Sequence, residues 1–390
     1  MFGACDLPEY SPAPPALMYA PVAVLLDYHT GTILFDRNGS VPRVPASLTK
    51  LVTIYTALDA AEQGMFELDQ PLPVDPGSYA SATAPGSSLM FLGPGQRVNG
   101  WDLLRGLAIP SGNDASREVA VRVSRSVGAF AQRMNQVVHS HGLTGMFFEE
   151  PAGLSPGNRI TAQEMARFSA LLLQRWPETV QDLFTLQSFR YPQEYHFPNG
   201  VLQGDSVSQA NRNLLIGTFP GAEGLKTGYT SAAGYNLAAA ARQQDRRLIA
   251  VVLGIDGDNH QQGGQRRTAD TAELLEWGFR EYATLSFDSP SIEEVAVMGG
   301  TVRQTTLGVA GEKDLVLPQM MVPALQGQID IPTTLWAPLR SGEVVGSLRY
   351  FVDDCTVHSV PLIIQEDIPQ GSIFRRLWDR LRVLIASIFR

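Results

Sequence analysis

The chain has 390 residues and a formal charge of −9, more than one hydrophobic core usually supports and enough for two or three domains. The charge is uneven: Gly371 to Arg390 holds five arginines and one aspartate, +4, leaving −13 for residues 1 to 370, and an acidic body of this kind excludes a nucleic-acid footprint. No run of 18 apolar residues occurs, so no helix is expected to cross a membrane.

At the start, Met1-Phe2-Gly3-Ala4-Cys5 lacks the basic and apolar regions of a secretory signal, so no export signal is visible there. Residues 1–14 are expected to be a disordered leader, although Phe2 to Cys5 also fit the stump of a lipoprotein cleavage site. Cys5 and Cys355 lie at opposite ends without ligand or redox spacing and are expected to be structural bystanders. A hairpin follows, Val22 to Leu26 and Thr32 to Phe35 around Tyr28-His29-Thr30-Gly31. Leu48, Leu51, Val52, Tyr55 and Leu58 then repeat at helical spacing from Ser47 to about Gln63, apolar or small over most of the circumference, as in a helix buried inside a domain.

Residues 64–99 read as loops with short strands. Helices are predicted near Trp101 to Ala108, Asn113 to Arg125, Ala129 to His141 and Thr161 to Arg175. His139 and His141, two apart on one of these, point to different faces, so no metal site is expected. Strands are predicted at Leu225–Lys226, Tyr235 to Ala241 and Arg247 to Leu253, with a helix from about Arg267 to Ala283 after a long loop at Ile255 to Gln265. Strands at both ends and helices between predict an α/β (α+β) domain over 15–283. Short Val-rich and Thr-rich runs broken by Gly and Pro predict an all-β domain over 284–368. The tail, 369–390, places Ile373, Leu377, Leu381, Leu384 and Ile388 on one stripe with Phe374, Trp378 and Ile385. Arg375, Arg376, Asp379, Arg380 and Arg382 lie mainly opposite.

Three lysines stand against 27 arginines, and two of the three are in Ser47-Leu48-Thr49-Lys50 and Lys226-Thr227-Gly228. Arginine suffices for a permanent cation but does not release its proton, whereas a buried ammonium is tunable toward neutrality. In the first turn of a buried helix, Ser47 faces Lys50, and a desolvated amine is the base that a serine nucleophile requires. Ser111-Gly112-Asn113, at a helix-to-helix junction, supplies a second hydroxyl and a substrate-holding amide, or else is an ordinary N-capped turn. Lys226 and Thr227 could bind a carboxylate beside a glycine that admits a ligand to the backbone, or simply end a strand.

Together the three motifs resemble those of the serine penicillin-recognising enzymes. More closely the chain resembles low-molecular-mass penicillin-binding proteins that are D-alanyl-D-alanine carboxypeptidases, through Pro45-Ala46-Ser47-Leu48-Thr49-Lys50, Ser111-Gly112-Asn113-Asp114-Ala115, Asn211-Arg212-Asn213, Lys226-Thr227-Gly228-Tyr229-Thr230, Ala233-Gly234-Tyr235-Asn236 and Trp277-Gly278-Phe279. The resemblance implies the penicillin-binding transpeptidase/β-lactamase-like fold and an enzyme that removes the terminal D-alanine of peptidoglycan pentapeptide stems. It also implies covalent binding of β-lactam antibiotics. Ser47 would be the acyl-ester nucleophile, Lys50 the proton acceptor and Ser111 the proton relay. Asn113, Lys226, Thr227 and Gly228 would bind substrate, with the Tyr229 backbone N–H as an oxyanion donor. Arg267 would help to hold the carboxylate, unless Arg266 does so or both are surface charges. This chemistry requires no cofactor.

A β-lactamase on the same fold would use a Glu-x-x-x-Asn loop, but Glu149-Glu150-Pro151-Ala152-Gly153-Leu154 stands in that region and lacks the asparagine. A D,D-endopeptidase would use the same machinery, and a non-catalytic penicillin-sensing wall protein would share the fold. The tail is expected to attach the protein peripherally to a membrane surface, at the outer face of the cytoplasmic membrane or in the periplasm. A packing helix for the β domain or a dimer contact would show the same periodicity, and the sequence leaves the oligomeric state open.

Overall fold

The computed structural model describes residues 8–286, 292–311, 314–332 and 334–388. Cys5 and residues 1–7, half of the leader expected to be disordered, lie outside the described residues; the other half is ordered, with a 3-10 turn at Pro8–Tyr10 and the Tyr10 hydroxyl donating to Asp353 Oδ2 at 3.2 Å. The chain forms two units, Pro14–Phe279 and a second in which residues 8–13 join the chain from Arg280 onward.

The larger unit is built on five antiparallel strands: β1 (Val22–Asp27), β2 (Ile33–Arg37), β3 (Ala222–Thr230), β4 (Gly234–Gln243) and β5 (Arg246–Ile255), in the order β2-β1-β5-β4-β3. The predicted hairpin is β1 and β2. Every residue of β1 is buried, because the sheet is covered on both sides and neither face needs polar alternation. Val22, Val24 and Leu26 join Ile249, Val251 and Leu253 in the helical core.

That core holds α1 (Thr49–Glu62), α2 (Gly100–Ala108), α3 (Asn113–Ser124), α4 (Val127–Ser140) and α5 (Ala162–Arg175). On the other face Leu25 meets Gly278 of α6 (His260–Glu281). The long loop expected to end at Gln265 is thus shorter, since α6 begins at His260. Asn259 supplies the start signal: its Oδ1 accepts from the Gln262 N–H at 2.9 Å. Helix α1 is buried around most of its circumference, from Thr49 through Leu58, as the sequence pattern requires.

In the second unit, β6 (Tyr282–Ser286), β7 (Ile292–Met298), β8 (Gln304–Val309), β9 (Asp314–Pro318), β10 (Leu325–Asp330), β11 (Leu335–Trp336), β12 (Val344–Val352) and β13 (Cys355–Ile364) precede α7 (Ile373–Ile388). Six of these strands form a sheet in the order β10-β12-β13-β8-β7-β11, and β6 pairs with β9. Cys355 is disulfide-bonded, which corrects its reading as a bystander.

Helix α7 docks on this unit by Asp379, which is 8% exposed and accepts from the Gly299 N–H at 2.8 Å. The sequence pattern puts Asp379 mainly on the solvent side, but a carboxylate that finds a backbone donor is satisfied without water. Phe374, Leu377 and Trp378 are instead exposed by 82%, 60% and 62%, so the apolar stripe is not the face that packs on this unit's strands.

The entry into β1 is held by Asp270 of α6, whose carboxylate accepts from the N–H groups of Met18, Tyr19 and Ala20 at 3.0, 2.8 and 2.5 Å. Asp270→Ala is expected to lower unfolding free energy by about 2–4 kcal/mol, since three donors lose a charged acceptor. Urea unfolding of the two proteins measures it.

Candidate active site

Ser47 lies in a tight 3-10 turn, Ala46–Leu48, that runs into α1. Ala46 takes φ 48°, a left-handed conformation unusual for alanine. Asn236 of β4 ties this turn to the sheet: its Nδ2 donates to the carbonyls of Val44 and Pro45 at 3.2 and 3.1 Å, while its Oδ1 accepts from the Gly254 N–H at 2.8 Å. The strained turn therefore rests on a rigid strand.

One helical turn beyond Ser47, Lys50 is completely buried. Its Nζ donates to Ser47 Oγ at 3.0 Å, Asn113 Oδ1 at 2.9 Å and the Ala152 carbonyl at 2.6 Å. Three donors thus meet three oxygens. Burial lowers the Lys50 pKa to about 7; the Glu150 carboxylate opposes that fall, Arg212 adds to it and Asp114 opposes it. The amine is then poised between its two protonation states near neutral pH.

Ser111 is 2% exposed in the loop between α2 and α3, with φ 65°. Its Oγ has no hydrogen-bond partner among the described residues. Close by in the chain, Asp114 accepts from the N–H groups of Met90, Phe91 and Leu92 at 2.8, 2.8 and 3.0 Å, fastening that segment beside the motif. Burial raises the Asp114 pKa, against the pull of its backbone contacts with Met90, Leu92, Ala115 and Phe91.

Lys226, Thr227 and Gly228 lie inside β3, opposite Ala238, Leu237 and Asn236 of β4, so they do not end the strand. A Cβ on Gly228 would stand 2.8 Å from the Pro45 carbonyl and 3.1 Å from the Ser47 nitrogen. Glycine is what lets β3 run this close to the Ser47 N–H. Lys226 is buried, with Nζ donating to the Thr227 carbonyl at 3.1 Å. Burial pushes its pKa well down, helped by the charges of Lys50, Arg212 and Arg267. Tyr229 follows, partly exposed and stacked on Tyr235 with ring centroids 4.2 Å apart.

Of the two candidate arginines, Arg267 is 8% exposed and donates to the carbonyls of Gly228, Asn236 and Arg212 at 3.4, 3.5 and 3.2 Å. Burial, then Arg212, lowers its pKa to about 10. Arg266 instead donates to the Asp256 carbonyl from the exposed side. The geometry thus separates a buried guanidinium beside β3 from a more exposed one. Ser47, Lys50 and Asn113 are joined by hydrogen bonds and Gly228 of β3 lies against Ser47, a hydroxyl and a near-neutral amine suited to attacking a carbonyl. Among the described residues no cluster of three or more His, Cys, Asp or Glu is placed to hold a metal.

Three contributors have roles that sequence reasoning does not assign. Asn236 and Arg212 stand in the sequence only as parts of motifs, and Glu150 only as a water-activating base without its asparagine. The sole local signal for Glu150 is the glycine three residues on, Gly153, which takes φ 85°.

The family model for D-alanyl-D-alanine carboxypeptidases matches residues 9–257, and that for the penicillin-binding protein 5 C-terminal domain matches 281–370. The chain is 33% identical to D-alanyl-D-alanine carboxypeptidase DacC of Escherichia coli K12, over 91% of this chain and 86% of that protein. It is 32% identical to DacA of the same organism, over 94% and 88%. The crystal structure of penicillin binding protein 5 from Haemophilus influenzae superposes with a TM-score of 0.78 at 30% identity, covering 92% of this chain and all of that one.

Gly228→Ala forces β3 away from Pro45 and Ser47. A displacement of a few tenths of an ångström to 1 Å is expected to slow covalent labelling of Ser47 by a fluorescent penicillin about ten- to hundredfold. Stopped-flow labelling rates of the two proteins check this.

Proposed function

The chain belongs to the D-alanyl-D-alanine carboxypeptidase family and is a serine peptidase, and we propose that it removes the terminal D-alanine of peptidoglycan pentapeptide stems through an ester on Ser47. The contact of Lys50 Nζ with Ser47 Oγ at 3.0 Å, by an amine with a pKa lowered to about 7, carries this reading. Neutral Lys50 takes the Ser47 proton as Oγ attacks the carbonyl carbon between the two D-alanines. The negative oxygen that forms is held by the N–H groups of Ser47 and Tyr229, which the close approach of Gly228 supports. Donors of this kind are worth about 3 to 4 kcal/mol.

When the tetrahedral intermediate collapses, the C–N bond breaks and Ser111 Oγ relays a proton to the departing D-alanine amine. Asn113 holds the peptide chain, while Thr227 and Gly228, with Lys226 and Arg267 behind them, receive the terminal carboxylate. Water then attacks the ester, Lys50 taking its proton, and Ser47 is restored. A β-lactam presents the same carbonyl beside a carboxylate, so the protein is expected to bind penicillin at Ser47. Neither neighbouring glutamate is free to speed its release: Glu149 accepts from Ser155 Oγ, and Glu150 from backbone N–H groups. This favours a peptidase over a β-lactamase.

The exposed apolar stripe of α7 supports peripheral membrane attachment, and a peptidoglycan substrate calls for the outer side of the cytoplasmic membrane. Trp378 and Leu377 would enter the interfacial zone, and flanking arginines would each add about 1 kcal/mol beside anionic lipid. No described helix is long and apolar enough to cross a membrane.

D-alanine release from a pentapeptide, with a cross-linked dimer cleaved far more slowly, is the expected product pattern; the reverse preference would make the protein an endopeptidase, and an adduct without release would make it a sensor. Since only the neutral amine accepts a proton, the acylation rate should rise with pH and level off above a midpoint of about 7. Lys50→Ala should cost about 10²–10⁴-fold at the plateau. Removing residues 370–390 should release the protein from anionic vesicles in a flotation assay and leave peptidase activity unchanged.

A further inference from the structure

The Glu150 carboxylate is enclosed by donors. Its Oε2 accepts from the Ala152 N–H at 2.7 Å. Its Oε1 accepts from the N–H groups of Gly153, Leu154 and Ser155 at 2.7, 2.7 and 3.2 Å, and from Asn158 Nδ2 at 3.0 Å. Five donors fill the roughly four lone-pair positions of a carboxylate. The loop 150–155 is therefore wrapped around one charge.

The Ala152–Gly153 peptide lies between that charge and Lys50. Its N–H donates to Glu150 Oε1 at 2.7 Å, and its carbonyl accepts from Lys50 Nζ at 2.6 Å. An anion at the N–H end and a cation at the carbonyl end both align with the peptide dipole, and hydrogen bonds in such a chain strengthen one another. The arrangement depends on Gly153, since a Cβ there would stand 1.9 Å from the Ala46 carbonyl and 2.9 Å from the Ser47 nitrogen. Asn158 braces the loop from the other side, with Nδ2 donating to Thr49 Oγ1 at 3.2 Å and to the Glu150 carbonyl at 3.1 Å. The loop is thus joined to the start of α1, directly after the turn that bears Ser47.

We propose that Glu150 is a positioning residue for the reaction, acting through the Ala152–Gly153 peptide to hold Lys50 Nζ against Ser47 Oγ and to set the fraction of Lys50 that carries a proton. The proposal rests on the reading of Lys50 as the proton acceptor. The charges that act on Lys50 come from several elements: Glu150 in this loop, Asp114 on α3, Arg212 in the segment before β3, and Lys226 on β3. Glu150 is the anion joined to it through a single peptide unit.

Glu150→Gln keeps the side-chain length and removes the charge. Without the anion the protonated amine loses support, so the Lys50 titration midpoint should fall by about one pH unit, and the acid limb of the acylation rate should move down with it. Glu150→Asp, which retains the charge, should keep the limb near its original position. With only Lys50, Lys226 and Lys313 in the chain, isotope-labelled lysine reports the Lys50 midpoint directly by NMR. An unchanged Lys50 midpoint in folded Glu150→Gln, with slower acylation at every pH, would reduce Glu150 to a loop staple and overturn the proposal.

The unaltered protein provides a second reading that needs no variant. The Gly153 amide resonance should titrate with the Lys50 midpoint, and an amide that stays fixed through that range also overturns the proposal. If the Lys50 midpoint shifts in Glu150→Gln while the rate limb stays in place, Glu150 still tunes Lys50, and it is the assignment of Lys50 as the base that fails.

Discussion

A lysine side chain wholly out of water is the constraint on which the rest of this structure depends. Burying an ammonium without compensation is so unfavourable that the group would release its proton far below neutrality. Three oxygens around Lys50 Nζ, from Ser47, Asn113 and Ala152, satisfy its donors, the Glu150 and Asp114 carboxylates oppose the fall, and the resulting pKa of about 7 leaves the amine divided between acid and base. Each oxygen belongs to a different segment. Meeting the requirements of one cation therefore draws together the start of α1, the start of α3 and the loop at residues 150–155.

The scaffold makes that convergence rigid. A five-stranded sheet buried on both faces supplies a fixed floor, and Asn236 of β4 fastens the turn before Ser47 to it by two carbonyls. Two glycines then allow backbone contacts that any side chain would block: Gly228 brings β3 against Ser47 from one side, and Gly153 brings the 150–155 loop against it from the other. Preorganised backbone dipoles of this kind act without moving during reaction, which is why their placement matters more than their number. Lys226 and Arg267 lie close by, buried and bonded to backbone carbonyls.

The second unit obeys a different rule. Its strands pack a small core of Val297, Leu307, Leu362 and Ile364, and α7 is held to it by the polar contact of Asp379 with Gly299. An amphipathic helix fixed by its polar edge leaves its apolar stripe exposed, the reverse of a helix that serves a core. That inversion removes a packing helix for the strands of this unit from the readings that the periodicity allows.

The local pattern of the chain determined a good deal alone: the hairpin, the all-round apolar helix after Ser47, the all-β second unit and the tail helix follow from periodicities of two and 3.6. The pairing of Ser47 with Lys50 is likewise a helical spacing, and the scarcity of lysine marked both buried ammonium groups. Tertiary structure alone decided that Ala152, 102 residues from Lys50, supplies its shortest contact, that Arg267 rather than Arg266 turns inward, and that α6 begins at His260. It also decided that Glu150 serves as an anchor. The physical reason is common to these cases: local spacing governs which neighbours share a face, whereas the partner of a buried charge is whichever distant polar group the packed core brings within reach.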